Sequence, residues 1–430
     1  MTSLVLNWMP RTRLAACVLM VCAGPALADN TTATGVGATA TGSQSSAYGF
    51  GATASGSYSL SAGNMSTASG GSAVALGNAA KATNGGTTAV GTSTTASGSQ
   101  STAVGNAATA SGNYGLAGGN LSKATGAAST ALGNAAEASG SNAVALGDGA
   151  KSAGVQGTAL GYMSSASVTG STALGDRATA SGEQSSALGS QAVASGAQST
   201  AVGHGAAALG TNALAGGQTA YAAGASSVAL GNLSKANTLS STAVGDSAVV
   251  NGLQGAALGY QANAGGDYGL AAGANSAAIG AHSVALGHDA TAMADNAVAI
   301  GAGSRATEAN TVSVGAVGNE RRITNVAPGI NPTDAVNLSQ LQATQSRVEQ
   351  VDKNANTGIA MAMAMSGQHG PALQPGETGA SVNVATYRGF SALALSIKGV
   401  TSRSGVGYGM SISSGAGGAL GASAGVGWKF

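Results

Sequence analysis

The sequence predicts an all-β chain: a parallel β-roll head of fourteen-residue repeats, a short coiled-coil helix, and a four-strand C-terminal segment of an outer-membrane β-barrel. Three observations predict it. Glycine recurs every fourteen residues through the middle of the chain without a slip. Around each of those glycines, apolar and small residues alternate with the period of a strand. Residues 369–430 read as four alternating segments of about ten residues, the length of a strand that crosses a bilayer.

Composition bounds the possibilities. Only 7% of the 430 residues are charged, against about a quarter in an ordinary globular protein. The net charge is +1 with no basic block, which argues against a nucleic-acid partner, because phosphate neutralisation needs clustered Lys and Arg. A hydrophobic share of 43% argues against disorder, and the lack of Gly-x-y triplets excludes collagen. That share is mostly Ala, Val and Leu, so any core is thin.

Residues 1–28 read as a secretory signal peptide: Arg11 and Arg13, an apolar stretch from Leu14 to Leu27, and a small-x-small cleavage site at Ala26-Leu27-Ala28. Both cysteines, Cys17 and Cys22, fall inside it. The exported chain then gains its stability without disulfides.

The head is expected to span 29–315. From Gly49 to Gly315, twenty positions in phase are glycine. The residue two before is Ala in eighteen and Ser in two, while the residue one before is Leu, Val or Ile in fifteen. Where that large residue is missing, at Ala62, Gly118, Gly216 and Ala272, a Leu stands two residues earlier, at Leu60, Leu116, Leu214 and Leu270. Residues two apart share one face of a strand, so the exchange fits a strand and no helix. A second alternating segment, such as Ala108-Thr109-Ala110, completes the repeat. Each repeat then makes one turn of a flattened, two-sided roll, with Leu and Val of one strand expected to pack on Ala of the other. Asn or Asp after the glycine, as at Asn78, Asn134 and Asp148, suits turns that need left-handed backbone. So thin a coil buries little area per turn and gains most by packing on copies of itself.

A neck is expected over 316–340, with Thr333-Asp334 opening a helix that contains Val336, Leu338 and Leu341. The stalk or lumen helix, 341–368, carries a weak heptad through Thr344, Val348, Val351 and Ala355. Over 369–430 the alternation runs through Val382, Val384 and Thr386; Leu393, Leu395 and Ile397; Val406, Tyr408, Met410 and Ile412; and Leu420 to Phe430. Four strands do not close a barrel, since the smallest have about eight.

The order of leader, Ala-Val/Leu-Gly repeats, neck, short helix and four terminal strands resembles the trimeric autotransporter adhesins, the YadA-like family of Gram-negative bacteria. The resemblance is carried by Ser72-Ala73-Val74-Ala75-Leu76-Gly77 and His282-Ser283-Val284-Ala285-Leu286-Gly287. It is carried equally by the neck, Arg321-Arg322-Ile323-Thr324-Asn325-Val326 and Thr333 to Leu341. It implies a homotrimer: left-handed parallel β-roll heads, a coiled coil, and a twelve-stranded barrel with four strands from each chain. It implies that the barrel anchors the chain in outer-membrane lipid and mediates autotransport, that Phe430 serves the barrel-insertion machinery, and that Ser396 fills a crowded lumen position. The function implied is multivalent attachment to extracellular matrix, host cells or surfaces; the alternative is a self-associating coat without a specific receptor. In some relatives Val/Ile-Ala-Ile-Gly repeats contact collagen, and Val298-Ala299-Ile300-Gly301 matches them.

No catalytic constellation stands out, and the chain is expected not to be an enzyme and to need no cofactor. Its histidines are His204, His282, His288 and His369. His282 and His288, read as lying in adjacent rungs, offer a metal site across three chains, but exposed turn residues are the expected reading.

Overall fold

The computed structural model describes residues 30–366 and 370–430, so the leader with Cys17 and Cys22, and His369, lie outside the described residues. It forms two compact units that meet between Arg321 and Arg322.

The first unit is a two-sided solenoid of parallel strands. One sheet holds the long strands, typically three residues such as Val74–Leu76, and the other holds two-residue strands such as Lys81–Ala82. Each strand pairs with its equivalent fourteen residues on, as Thr102 with Leu116 and Thr95 with Thr109. The stack begins one rung earlier than the glycine count from Gly49, because Thr32–Thr34 pairs with Ser46–Tyr48 ahead of Gly35. At about 4.8 Å per rung, this unit extends roughly 95 Å along its axis.

The expected packing of Leu and Val on Ala is overturned. The interior is small residues, mostly Ala with Ser and Thr: Ala73, Ala75, Ala80 and Ala82 of one rung are fully buried, as are Ser61, Ser66, Thr87 and Thr94 of its neighbours. The large residues point outward instead, with Leu146 42% and Ile300 41% exposed. Size decides the side, because two sheets joined by tight turns of four or five residues sit too close to hold a Leu between them. Val250, the largest fully buried side chain, fits only because Gly255 lies opposite; a Cβ there would stand 2.9 Å from Val250 Cγ1. The exchange of Leu between two positions is upheld, but on the outer face. A Cβ at Gly118 would meet the Leu132 side chain of the next rung at 2.6 Å.

Both turns share one geometry. The amide of Ala80 donates to Gly77 O at 3.3 Å, and that of Ala73 to Gly70 O at 3.2 Å. The left-handed residue is the third of each turn, Ala79 at φ 56° and Ser72 at φ 57°, the geometry of a type II turn. The Asn or Asp after the register glycine is therefore not the left-handed residue. Its side chain bridges rungs: Asn120 Nδ2 donates to Asn134 Oδ1 at 2.8 Å, and Asn134 Nδ2 to Asp148 Oδ1 at 3.0 Å. Arg321 closes the last rung, donating to Ser304 Oγ and Val314 O at 2.8 Å each and also to Ala302 O.

In the second unit the helix runs Leu338–Met365. It begins later than expected. Asn337 caps it, with Asn337 Oδ1 accepting from the Gln340 amide and Gln340 Oε1 from the Asn337 amide, a reciprocal capping box. Thr333-Asp334 stays outside, where the Asp334 carboxylate accepts from the amides of Ile330 and Asn331.

Four antiparallel strands follow: Thr378–Tyr387, Phe390–Val400, Gly407–Gly415 and Leu420–Gly427. The last ends before Trp428 to Phe430, which the alternation had included. The helix lies on one face, where Ala360, Met361 and Ala364 meet Ala392 and Ala394. Gly415 and Gly421 make room for Met361, whose atoms would stand 2.8 Å from a Cβ at either position. Ser396 lies on this face, 2% exposed, accepting from Ser411 Oγ at 2.8 Å.

Candidate interaction surfaces

Four surfaces run along the solenoid, and the repeat assigns a residue class to each. The long-strand face carries large apolar residues on most rungs, interleaved with Thr or Ser at the first outward position of ten of the twenty-one strands. Leu146, Leu160, Leu174, Val202, Leu230 and Leu286 follow one another on it, each 36% exposed or more. A continuous exposed apolar strip of this kind marks an association surface.

The short-strand face changes character along the axis. Its first half carries Thr and Lys, as at Thr53, Thr67, Lys81, Thr95, Thr109 and Lys123. Its second half exposes Leu209, Tyr221, Ile279 and Met293. Aligning the repeats in sequence would have shown the basic column, since its members share one repeat position.

The turns carry most of the remaining chemistry. Arg177 lies 3.5 Å from Asp176 and 5.4 Å from the centre of the Tyr162 ring. Hydrogen bonds from Ser247 and then Asn232 hold the Asp246 carboxyl below its ordinary range. His282 and His288 are not in adjacent rungs. They sit in the two opposite turns of one rung, on either side of the strand Val284–Leu286. His282 stacks on Tyr268 at 4.9 Å and 13°, and His288 Nδ1 lies 3.1 Å from Asp289. Within one chain the structure does not bring the two histidines together. Among the described residues no group of three His, Cys, Asp or Glu is placed to hold a metal ion.

In the second unit, the heptad residues Leu341, Val348 and Val351 are 59–66% exposed. The sheet face away from the helix carries exposed apolar rows in register, as Val382 beside Leu395 beside Ile412. On the same face Tyr408 folds over Gly399, where a Cβ would meet the Tyr408 hydroxyl at 2.4 Å. The first and fourth strands each leave one edge without a partner among the described residues. No helix among them is long and apolar enough to cross a membrane, which says nothing of crossing by strands.

Known proteins resemble parts of both units. A model of the YadA head domain repeat matches thirteen segments from 26–52 to 294–316, more than half of the chain. A model of the coiled stalk of trimeric autotransporter adhesins matches 322–362. The chain is 38% identical over 84 residues to the autotransporter adhesin NhhA of Neisseria meningitidis, covering 19% of this chain and 14% of NhhA. It is 37% identical over 99 residues to the autotransporter adhesin EhaG of Escherichia coli O157:H7, covering 20% of this chain and 6% of EhaG. The chain thus matches only a small part of either relative's length. The crystal structure of the collagen-binding domain of the Yersinia adhesin YadA aligns at 23% identity over 59% of this chain and 86% of that one, with a TM-score of 0.13. With its head repeats and coiled stalk in the order the geometry shows, the chain belongs to the trimeric autotransporter adhesins, a family anchored in the outer membrane with its heads exposed at the cell surface.

Proposed function

We propose that three copies assemble through their long-strand faces and that the resulting head is a multivalent adhesin for extracellular matrix, host cells or surfaces. The observation that carries the reading is the row of large apolar residues on the long-strand face, from Leu146 to Leu286, exposed in a single chain. The heptad residues of the helix and the open sheet edges call for copies in the same way. Four terminal strands from each copy would close a twelve-stranded barrel, apolar toward lipid, with Ser396 and the helix toward the lumen. That barrel anchors the chain and is the route for exporting the head. Three identical faces with many rungs each sum weak contacts into avidity.

In this reading Val298 and Ile300 lie on the long-strand face between copies, which disfavours them as a collagen contact. The second reading, a self-associating coat, is favoured by one observation, the apolar second half of the short-strand face. Display of the full chain on a non-adherent Gram-negative host, beside a version lacking 29–315, tests both. Head-dependent capture of collagen, fibronectin or laminin supports the receptor-directed adhesin; clumping alone supports the coat. Leu146→Glu with Leu160→Glu is expected to open the head to protease near those rungs while the barrel keeps the chains together, and a head as protease-resistant as the wild type would sink assembly through the long-strand faces.

A further inference from the structure

The short-strand face sorts the charge of the head in a way that neither the fold nor the assembly requires. Of the six basic side chains in residues 30–315, five share one repeat position, four after the register glycine: Lys81, Lys123, Lys151, Lys235 and Arg305. All five are exposed. The sixth, Arg177, sits in a turn beside Asp176. Of the nine carboxylates in the same span, eight lie in turns and only Glu137 joins the column. Strand pairing sets Glu137 between Lys123 and Lys151. Neither ion pair found among the described residues involves these lysines.

Between the cations the face is hydroxyl-bearing. Thr53, Thr67, Thr95 and Thr109 occupy the same column, and two residues further on every rung before that of Lys151 turns a Ser or Thr outward, as at Ser97 and Thr125. Lys81 and Lys123 are three rungs apart and Lys123 and Lys151 two, so charges recur at about 14 and 10 Å along the column.

We infer that this ribbon, from Thr39 to Lys151, binds a linear acidic polysaccharide laid along the solenoid axis. Acidic groups of the polymer sit on Lys81, Lys123 and Lys151, and its ring hydroxyls meet the intervening Thr and Ser. A repeating ligand suits a repeating face, and charges spaced by several rungs suit a polymer with one acidic group every sugar or two. Single-stranded nucleic acid is disfavoured because the ribbon offers no aromatic ring for stacking, and a membrane surface because it offers no apolar side chain to insert. Beyond Lys151 the column continues through Ser165 and Thr179 with no cation, and the face then turns apolar at Leu209 and Tyr221. The inference rests on the assembly proposed above, in which the long-strand faces turn inward and the short-strand faces outward.

The test uses the full chain displayed on cells, each variant first checked for an SDS-resistant trimer and for protease access to the head. The probe is immobilised polygalacturonate, with neutral dextran and dextran sulfate as controls. Capture of the wild-type chain is expected to fall as salt rises. At roughly 0.2–1 kcal/mol per exposed pair, the triple variant K81Q/K123Q/K151Q is expected to bind about tenfold more weakly. The matching arginine variant should retain binding, and Glu137→Gln should strengthen it about twofold. Lys235→Gln with Arg305→Gln, outside the ribbon, should change little. Unchanged capture of the triple glutamine variant, weaker capture of Glu137→Gln, or equal capture by neutral dextran would each overturn the inference, whereas lysine-dependent capture by dextran sulfate alone would support it with sulfate as the acidic group. Loss of the wild-type trimer in the preliminary check would count against the assembly instead, which separates the two failures.

Discussion

Replacing Gly133 by Ala is the sharpest probe of why the repeat keeps its glycine. Gly133 sits at φ +136°, and a Cβ there would stand 2.3 Å from Gly147 O and 2.6 Å from its carbonyl carbon, one rung on. Backbone in that region costs a side chain about 1–3 kcal/mol, and displacing the next rung adds about 1–3 kcal/mol of overpacking. The expected loss is therefore about 2–6 kcal/mol in each chain. Gly140, seven residues on, is the control. Its Cβ would meet Gly154 O at 2.0 Å, which is tighter, but its φ is one that any residue adopts. The chain itself places Asn84, Val168, Thr238, Ala294 and Glu308 at that repeat position, so the rungs can shift to admit a side chain there. Gly140→Ala is expected to cost only the overpacking part, about 1–3 kcal/mol or less. Because each rung of a solenoid contacts only its neighbours, the damage should be local. Limited proteolysis of the displayed full chain should cut near residues 133–147 in Gly133→Ala and leave Gly140→Ala largely intact, with thermal melting ranking the two in the same order. Equal sensitivity of the two variants, or a Gly133→Ala chain as resistant as the wild type, would refute the argument that backbone conformation and not clearance fixes the register glycine.

Gly255→Ala should cost about 1–3 kcal/mol by crowding Val250, and adding Val250→Ala should return most of it; a double-mutant cycle with additive effects would contradict the shared volume. Asn337→Ala removes the cap of the helix and the bond from Asn337 Nδ2 to Val326 O, with an expected cost of about 1 kcal/mol and faster hydrogen exchange in the first helical turn. Asp334 is held below the ordinary carboxylate range by the amides of Asn331 and Ile330. Its folded-state value is depressed, so its contribution is present above the unfolded value near 4 and is lost as pH falls through the lower folded value. Exchange of the Ile330 and Asn331 amides should therefore accelerate in acid below about pH 4, and Asp334→Asn should remove that pH dependence.

The architecture was legible because the features that define it are periodic. The fourteen-residue glycine column, the two alternating segments per repeat and the four terminal strands can all be read without coordinates. Sidedness was not, because a period of two states only that two faces exist. Leu146 and Ala145 alternate in the same way whichever of them points inward, and only the short distance between the sheets selects Ala145. The left-handed turn residue was misplaced for a related reason. Asn and Asp are favoured both where backbone is left-handed and where a side chain bridges neighbours, and at Asn120 and Asn134 the bridge is what the residue supplies. The start of the helix was missed because Asn337 and Gln340 declare a cap only as a pair, while Thr333-Asp334 resembles one alone. The basic column was present in the sequence throughout, but it shows only when the repeats are laid over one another and the glycines are disregarded.

These errors point to one physical constraint. A rung fourteen residues long leaves room for only small side chains inside, so the apolar volume available to the repeat has nowhere to go but outward. Had Leu and Val filled the interior, each chain would have held its own core and exposed a bland surface. With alanine inside, one chain buries little per rung, and the larger apolar residues form a strip on the outside of a single copy. The glycine column that makes the roll thin thus also makes it depend on its copies. In the assembly proposed above, the opposite, short-strand face is free of that duty, and its Thr and Lys stay open to a ligand.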